Sequence, residues 1–171
     1  MDLKQFIRDI ADFPQAGILF RDITPLLQTP DAFEYVLDRF AEEYRDAGLN
    51  AVVAIESRGF LFGAPLARDL GVSLIPVRKA GKLPAKHISV EYSLEYGTSQ
   101  LDIHEDALKR GQKALIVDDL LATGGTANAA AKLVELLGAE VHGMAFVLEL
   151  AFLNGRERLR EYDVLSLVTY D

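Results

Sequence analysis

Five short blocks of the chain are apolar almost throughout: AVVAI at 51–55, SLIPV at 73–77, KALIV at 113–117, VHGMAFVLEL at 141–150 and DVLSLV at 163–168. Runs this short and this uniformly apolar predict strands covered on both faces. Between them the apolar positions follow the helical period instead. Phe33, Val36, Leu37, Phe40, Ala41 and Tyr44 make one buried helix face, with Asp31 able to cap its start and Gly48 to end it. A second helix is expected to end near Gly71, and a third to run from about Ala127 to Leu137. Strands alternating with helices predict an α/β fold, an open, mainly parallel five-stranded sheet flanked by helices. ISVEYSLEYGTSQLDI (88–103) alternates around a Tyr-Gly-Thr-Ser turn and predicts a β-hairpin that departs from this scheme. At the amino terminus, Leu3, Phe6, Ile7 and Ile10 stand at helical spacing and predict an amphipathic helix.

Two segments fit neither pattern. FPQAGILFRDITPLL (13–27) is apolar but broken by proline and glycine, and VRKAGKLPAKH (77–87) gathers Arg78, Lys79, Lys82 and Lys86. Long irregular stretches in a compact domain are more often functional than accidental.

Composition narrows the classes. With 171 residues, half of them hydrophobic, one domain over 1–171 can bury a substantial core. The absence of cysteine removes disulfides, thiolate metal sites and cysteine nucleophiles, and is compatible with a reducing, cytoplasmic setting. His87, His104 and His142 are the only histidines, and their spacing matches no metal-binding motif. A net charge of −8 argues against nucleic acid or an anionic membrane as the main partner. No apolar run reaches the length needed to cross a bilayer.

The candidate chemistry lies in KALIVDDLLATGGTANAAAKLVELLG (113–138). An apolar strand is expected to end in Asp118 and Asp119, where an open parallel sheet receives its ligands. A loop of Ala122, Thr123, Gly124, Gly125 and Thr126 then opens a helix. Its glycines let backbone amides converge, the helix start favours an anion, and two threonines add hydroxyl donors: a cup for a phosphate monoester. Two carboxylates would repel that phosphate, so they address another part of the ligand, vicinal sugar hydroxyls or a divalent ion. Singly, paired acids are most often capping or turn residues, and a Gly-Gly turn is common. Their combination at a strand-to-helix junction indicates a ligand site, and a sugar phosphate suits both halves. No nucleotide-binding glycine motif of the GxxxxGK[ST] or GxGxxG type occurs in the required context.

VDDLLATGGTA resembles the phosphoribosyl pyrophosphate motif of the type I phosphoribosyltransferases. FPQAGILFRDITPLL, AIESRGFLFGAPLA, VRKAGKLP and YSLEYGT extend the resemblance over nearly the whole chain, toward the adenine-specific branch of that family. The resemblance implies a fold with a small amino-terminal hood (about 1–30) and a flexible β-hairpin flap (about 80–104). It implies that adenine and phosphoribosyl pyrophosphate give AMP and pyrophosphate in purine salvage, with Mg²⁺ bound through substrate oxygens and no direct protein ligand. Asp118 and Asp119 would hold the ribose hydroxyls and oppose the positive charge of an oxocarbenium-like state. Residues 122–126 would hold the 5′-phosphate. Glu56, Ser57, Arg58 and Gly59 would form the pyrophosphate loop, with a cis peptide between Glu56 and Ser57. Arg78, Lys79 and Lys82 would contact the leaving group, while Lys86 stays a surface lysine. Leu19, Phe20 and Arg21 would recognise adenine largely through backbone groups, with Leu153 on the other face of the base. On the flap, Glu95 would reach purine N7 as the acid or base, beside Tyr96. The family is usually homodimeric.

Each of these residues also has a plainer reading: Arg58 and the basic run as solvated surface, Glu95 as a solvent-facing carboxylate, Leu153 as core. Two other functions share the fold, a phosphoribosyltransferase for guanine, hypoxanthine or xanthine, and a non-catalytic purine-responsive regulator. The acidic charge and the lack of an appended basic module count against the regulator.

Overall fold

The structure, a computed structural model, describes residues 1–93 and 97–171. Its internal contacts divide it into two compact units, Met1–Arg39 and Phe40–Asp171.

In the first unit the expected amino-terminal helix is confined to a 3₁₀ turn, Leu3–Phe6. Ile7 is already extended, and β1 (Arg8–Ala11) pairs antiparallel with β2 (Leu19–Asp22). The register sets Arg8 opposite Asp22 and Asp9 opposite Arg21. Both pairs are joined, Arg8 Nη2 to Asp22 at 2.6 Å and Arg21 to Asp9. Opposite charges directly across a ladder favour the strand, and helical spacing over so short a segment does not outweigh them. Bonds from Thr24, helped by Arg8 and resisted by burial, hold the Asp22 carboxyl below the usual carboxylate range. A short α1 (Thr24–Leu27) follows. The next helix, α2 (Pro30–Tyr44), runs across the boundary between the units. It begins one residue before the expected cap, so Asp31 lies in its first turn rather than capping it.

The second unit is built on a seven-stranded sheet. Its strands are β3 (Ala51–Ile55), β4 (Ser73–Lys79), β5 (His87–Ser93), β6 (Thr98–His104), β7 (Lys113–Leu121), β8 (Glu140–Leu150) and β9 (Val164–Tyr170). Their order is β5-β6-β4-β3-β7-β8-β9. The five strands expected from the apolar blocks are the parallel set, β4-β3-β7-β8-β9. The sheet has seven strands rather than five because β6 pairs antiparallel with β4 at Arg78 and Lys79, which draws the hairpin onto its edge.

Helices α3 (Gly59–Leu70) and α4 (Gly125–Leu136) explain the uniformly apolar strands. Alternate residues of β3 face opposite ways. Val53 and Ile55 join a core with Ile116, Phe146 and, from α4, Leu133. Val52 and Ala54 lie under α3, where Gly63 leaves room for the Ala54 methyl group. Each such side chain, fully buried, stabilises the fold by about 1.5–3 kcal/mol.

Candidate active site

Strand β3 has β4 on one side and β7 on the other, so successive crossovers run in opposite directions from it. A ligand crevice forms at the carboxyl ends of the strands at such a switch point. The Asp118–Asp119 pair, the 122–126 turn and residues Glu56 to Arg58 meet there.

Strand β7 does not stop before the acids. It continues through them to Leu121 because the long β8 supports it, with Asp118 opposite Phe146 and Leu120 opposite Leu148. On its other side the ladder to β3 ends at the pair Ala54–Val117. Asp118 and Asp119 therefore lie within a strand, yet beyond the reach of its neighbour, facing the crevice. Asp119 is buried at 4% exposure and is paired with Arg58. Asp118 accepts the Asp119 backbone N–H at 2.9 Å. Burial, reinforced by the adjacent Asp119 charge, pushes the Asp118 carboxyl well above the ordinary carboxylate range.

From Leu121 the chain turns through Ala122, Thr123 and Gly124 into α4. These residues, with Arg58, Asp118 and Asp119, line a cleft of about 180 Å³. The two glycines of the turn are not equivalent. Gly124 has φ +79, and a Cβ there would stand 2.5 Å from the Gly155 carbonyl oxygen. Gly125 begins the helix, and its nearest neighbours would be at an ordinary 3.5 Å.

A second cleft, of about 300 Å³, shares Arg58, Asp118, Asp119 and Thr126 with the first and adds Glu56, Ser57, Lys79 and Tyr92 among its lining. The Glu56–Ser57 peptide is cis, as the resemblance implied. Glu56 braces this loop internally. Its carboxylate accepts from Arg78 Nε and from the Lys79 backbone N–H, both at 3.0 Å. The Arg78 guanidinium, against the opposing effect of burial, holds Glu56 below the usual carboxylate range, with help from Lys79 and Lys82.

Not every expected residue comes to these clefts in the same way. Arg78 is engaged with Glu56, and Lys82 stands exposed in the loop after β4. Leu19, Phe20 and Arg21 form β2 of the first unit, where the Phe20 ring meets Phe13 edge-on at 5.1 Å and Arg21 pairs with Asp9. Leu153, half-buried, ends the 3₁₀ turn Ala151–Leu153 after β8. Glu95 and Tyr96 lie outside the described residues. Two contributors were missed in the sequence. Tyr92, on β5, accepts from the Thr126 hydroxyl at 3.3 Å, and Gly155 abuts the Ala122–Gly124 turn. The Asn154-Gly155 dipeptide marks a turn, but nothing local shows what that turn touches.

The arrangement combines an amide-rich turn at a helix start, two carboxylates and a second loop carrying a guanidinium, all opening on one crevice. The family model for the phosphoribosyl transferase domain matches residues 26–168. An adenine phosphoribosyltransferase of Thermotoga neapolitana is 58% identical over 170 residues, covering 99% of this chain and 100% of that protein. The crystal structure of adenine phosphoribosyltransferase from Thermoanaerobacter pseudethanolicus superposes with a TM-score of 0.95 at 53% identity, covering 99% of this chain and 98% of that one. The Saccharomyces cerevisiae enzyme, complexed with an imino-altritol bisphosphate and adenine, superposes with a TM-score of 0.92 at 42% identity, with coverages of 97% and 96%. Matched in sequence and in fold over almost its entire length, the chain belongs to the phosphoribosyl transferase domain family, within the adenine phosphoribosyltransferases.

Proposed function

We propose that this protein transfers the phosphoribosyl group of phosphoribosyl pyrophosphate to adenine, releasing pyrophosphate and forming AMP, in purine salvage. The observation that carries the reading is the convergence of the 122–126 turn, the Asp118–Asp119 pair and the Glu56–Gly59 loop on one crevice. The turn and the start of α4 receive the 5′-phosphate. The two aspartates hold the ribose 2′ and 3′ hydroxyls. Ser57, Arg58, Gly59 and Lys79 receive pyrophosphate, with Arg78 and Lys82 adding positive potential behind them. The bond from the anomeric carbon to pyrophosphate breaks as the bond to adenine N9 forms, and the proton on N7 departs to a base. The two carboxylates oppose the positive charge that develops on the ribose as these bonds exchange. Leu19, Phe20, Arg21 and Leu153 are the residues assigned to adenine.

The donors at the crevice are carboxylate and hydroxyl oxygens, the hard set that suits Mg²⁺. Among the described residues no group of three or more His, Asp or Glu is placed to hold a metal. Asp118 and Asp119 would thus reach the ion through the ribose hydroxyls. When bound, it would neutralise diphosphate charge. The same reading carries a homodimer in the cytoplasm, with small molecules rather than nucleic acid or membrane as partners. No helix among the described residues is long and apolar enough to cross a membrane.

Incubating the protein with phosphoribosyl pyrophosphate, Mg²⁺ and adenine, guanine or hypoxanthine tests the reading. AMP should form with a preference of about 10⁴-fold, because a 6-oxo purine leaves the site's hydrogen-bonding groups unpaired. Comparable GMP or IMP formation would reassign the base, and no nucleotide at all would favour a regulator.

The inequivalent glycines give a sharper check of the phosphate turn. An L-residue at the left-handed Gly124 position costs about 1–2 kcal/mol, apart from the close contact with Gly155. If binding must restore the turn, Gly124→Ala should weaken ribose 5-phosphate by about five- to thirtyfold. Gly125→Ala meets only ordinary contacts and should bind nearly normally. Titration calorimetry finding normal affinity in the Gly124 variant would remove the turn from the phosphate site.

A further inference from the structure

We infer that Glu149 and Arg156 are a positioning pair for the phosphate turn, acting on it through Gly155. The inference rests on the assignment of residues 122–126 to the 5′-phosphate. Glu149, near the end of β8, is 4% exposed, one of the few buried charged residues. Arg156 donates to it three times, from Nε at 2.8 and 3.0 Å and from Nη2 at 2.8 Å. The remaining Nη1 donates to the Val164 carbonyl of β9 at 3.0 Å. One guanidinium thereby joins the ends of two neighbouring strands to the short α5 (Gly155–Arg158).

Gly155 precedes that arginine in the chain, and its backbone lies against both ends of the turn. A Cβ on Gly155 would stand 2.3 Å from the Ala122 carbonyl oxygen, and one on Gly124 would stand 2.5 Å from the Gly155 oxygen. With so little slack, the place of the Gly155 backbone decides the place of the turn. Asn154, at φ +53, aims the chain into this contact. An ion pair whose arginine is half-exposed adds little net stability, but a planar fork on a carboxylate defines direction closely. Neither residue lines the clefts that hold the acids and the turn.

The test compares ribose 5-phosphate, which needs the turn, with pyrophosphate, which is assigned to the Glu56–Gly59 loop. Affinities are measured by calorimetry below each variant's melting temperature. Glu149→Gln should weaken ribose 5-phosphate by about tenfold or more, within the roughly 10²-fold effect of an ångström-scale displacement, and leave pyrophosphate nearly unchanged. Arg156→Lys keeps the charge but loses the fork, so it should share the defect. The double variant Glu149→Gln/Arg156→Gln leaves no unpaired buried charge, and Gly155→Ala leaves the pair whole. Both should show the same selective loss even if a single variant folds poorly. Normal ribose 5-phosphate affinity in the folded variants, or equal weakening of both ligands, would make the pair a general structural brace and overturn the inference. If the unaltered protein itself fails to bind ribose 5-phosphate, the phosphate-turn assignment falls, and this inference with it.

Discussion

Replacing Asp118 and Asp119 together by asparagine is expected to lower turnover by about 10³-fold or more, the scale on which electrostatic stabilisers of a transition state act. The chemistry to be stabilised is positive charge on a ribose ring between departure of pyrophosphate and arrival of adenine. Asparagine preserves volume and hydrogen bonding to the ribose hydroxyls but removes the opposing charge. Ground-state affinity should therefore fall less than the rate, and a kcat loss larger than the KM change is the signature sought. Unchanged turnover would leave the pair as structural residues of the strand end.

The same residues carry a stability prediction of opposite sign. The Asp118 carboxyl is pushed up by burial and by the Asp119 charge. A carboxyl raised in the folded state binds its proton more readily there than in the unfolded chain. Its contribution favours the fold below the unfolded value and is lost as pH rises through the raised one. At neutral pH the raised carboxyl therefore counts against the fold, so Asp118→Asn should melt higher than the unaltered protein. That gain should shrink as pH is lowered into the ordinary carboxylate range. A lower melting temperature at neutral pH would mean that the site offsets the charge by other means. A gain in stability with a loss in rate is the pattern of a group kept for function.

The second large effect is expected at Glu95. To attack the anomeric carbon, N9 of adenine must present a lone pair, available when the ring proton resides on N7. That proton leaves as the new bond forms, and a carboxylate at N7 can take it; in the reverse direction it would return it. Positioned proton transfer contributes about 10²–10⁴-fold, so Glu95→Gln should lower the chemical rate within that range. Glu95 itself lies outside the described residues, but Tyr92 and Ser99, on either side of it in the hairpin, line the cleft shared with the two aspartates. Phosphoribosyl pyrophosphate affinity should change little, since its contacts are assigned elsewhere. Single-turnover measurement separates chemistry from product release. A glutamine variant retaining its chemical rate would leave Glu95 as a surface residue of the hairpin.

The parallel set of the sheet was legible in the sequence. Strands such as Ala51–Ile55 are buried on both faces, which leaves no polar alternation to obscure them. The acid pair and the glycine turn were legible too, since a strand leading through Asp118 and Asp119 into a Gly-Gly turn and a helix is a local pattern. What the tertiary structure decided is wherever a partner lies far along the chain. Residues 8–11 are a strand because Asp22 and Arg21 stand opposite Arg8 and Asp9. The hairpin belongs to the sheet because β6 meets β4. Glu56 supports its loop because Arg78 lies 22 residues away in sequence but within hydrogen-bonding distance. Gly155 meets Ala122 and Gly124 only because β8, which precedes it, pairs with β7, which precedes the turn. Periodicity and motif record what a residue's near neighbours require; contacts closed across the fold depend on register and crossover, which no local window contains.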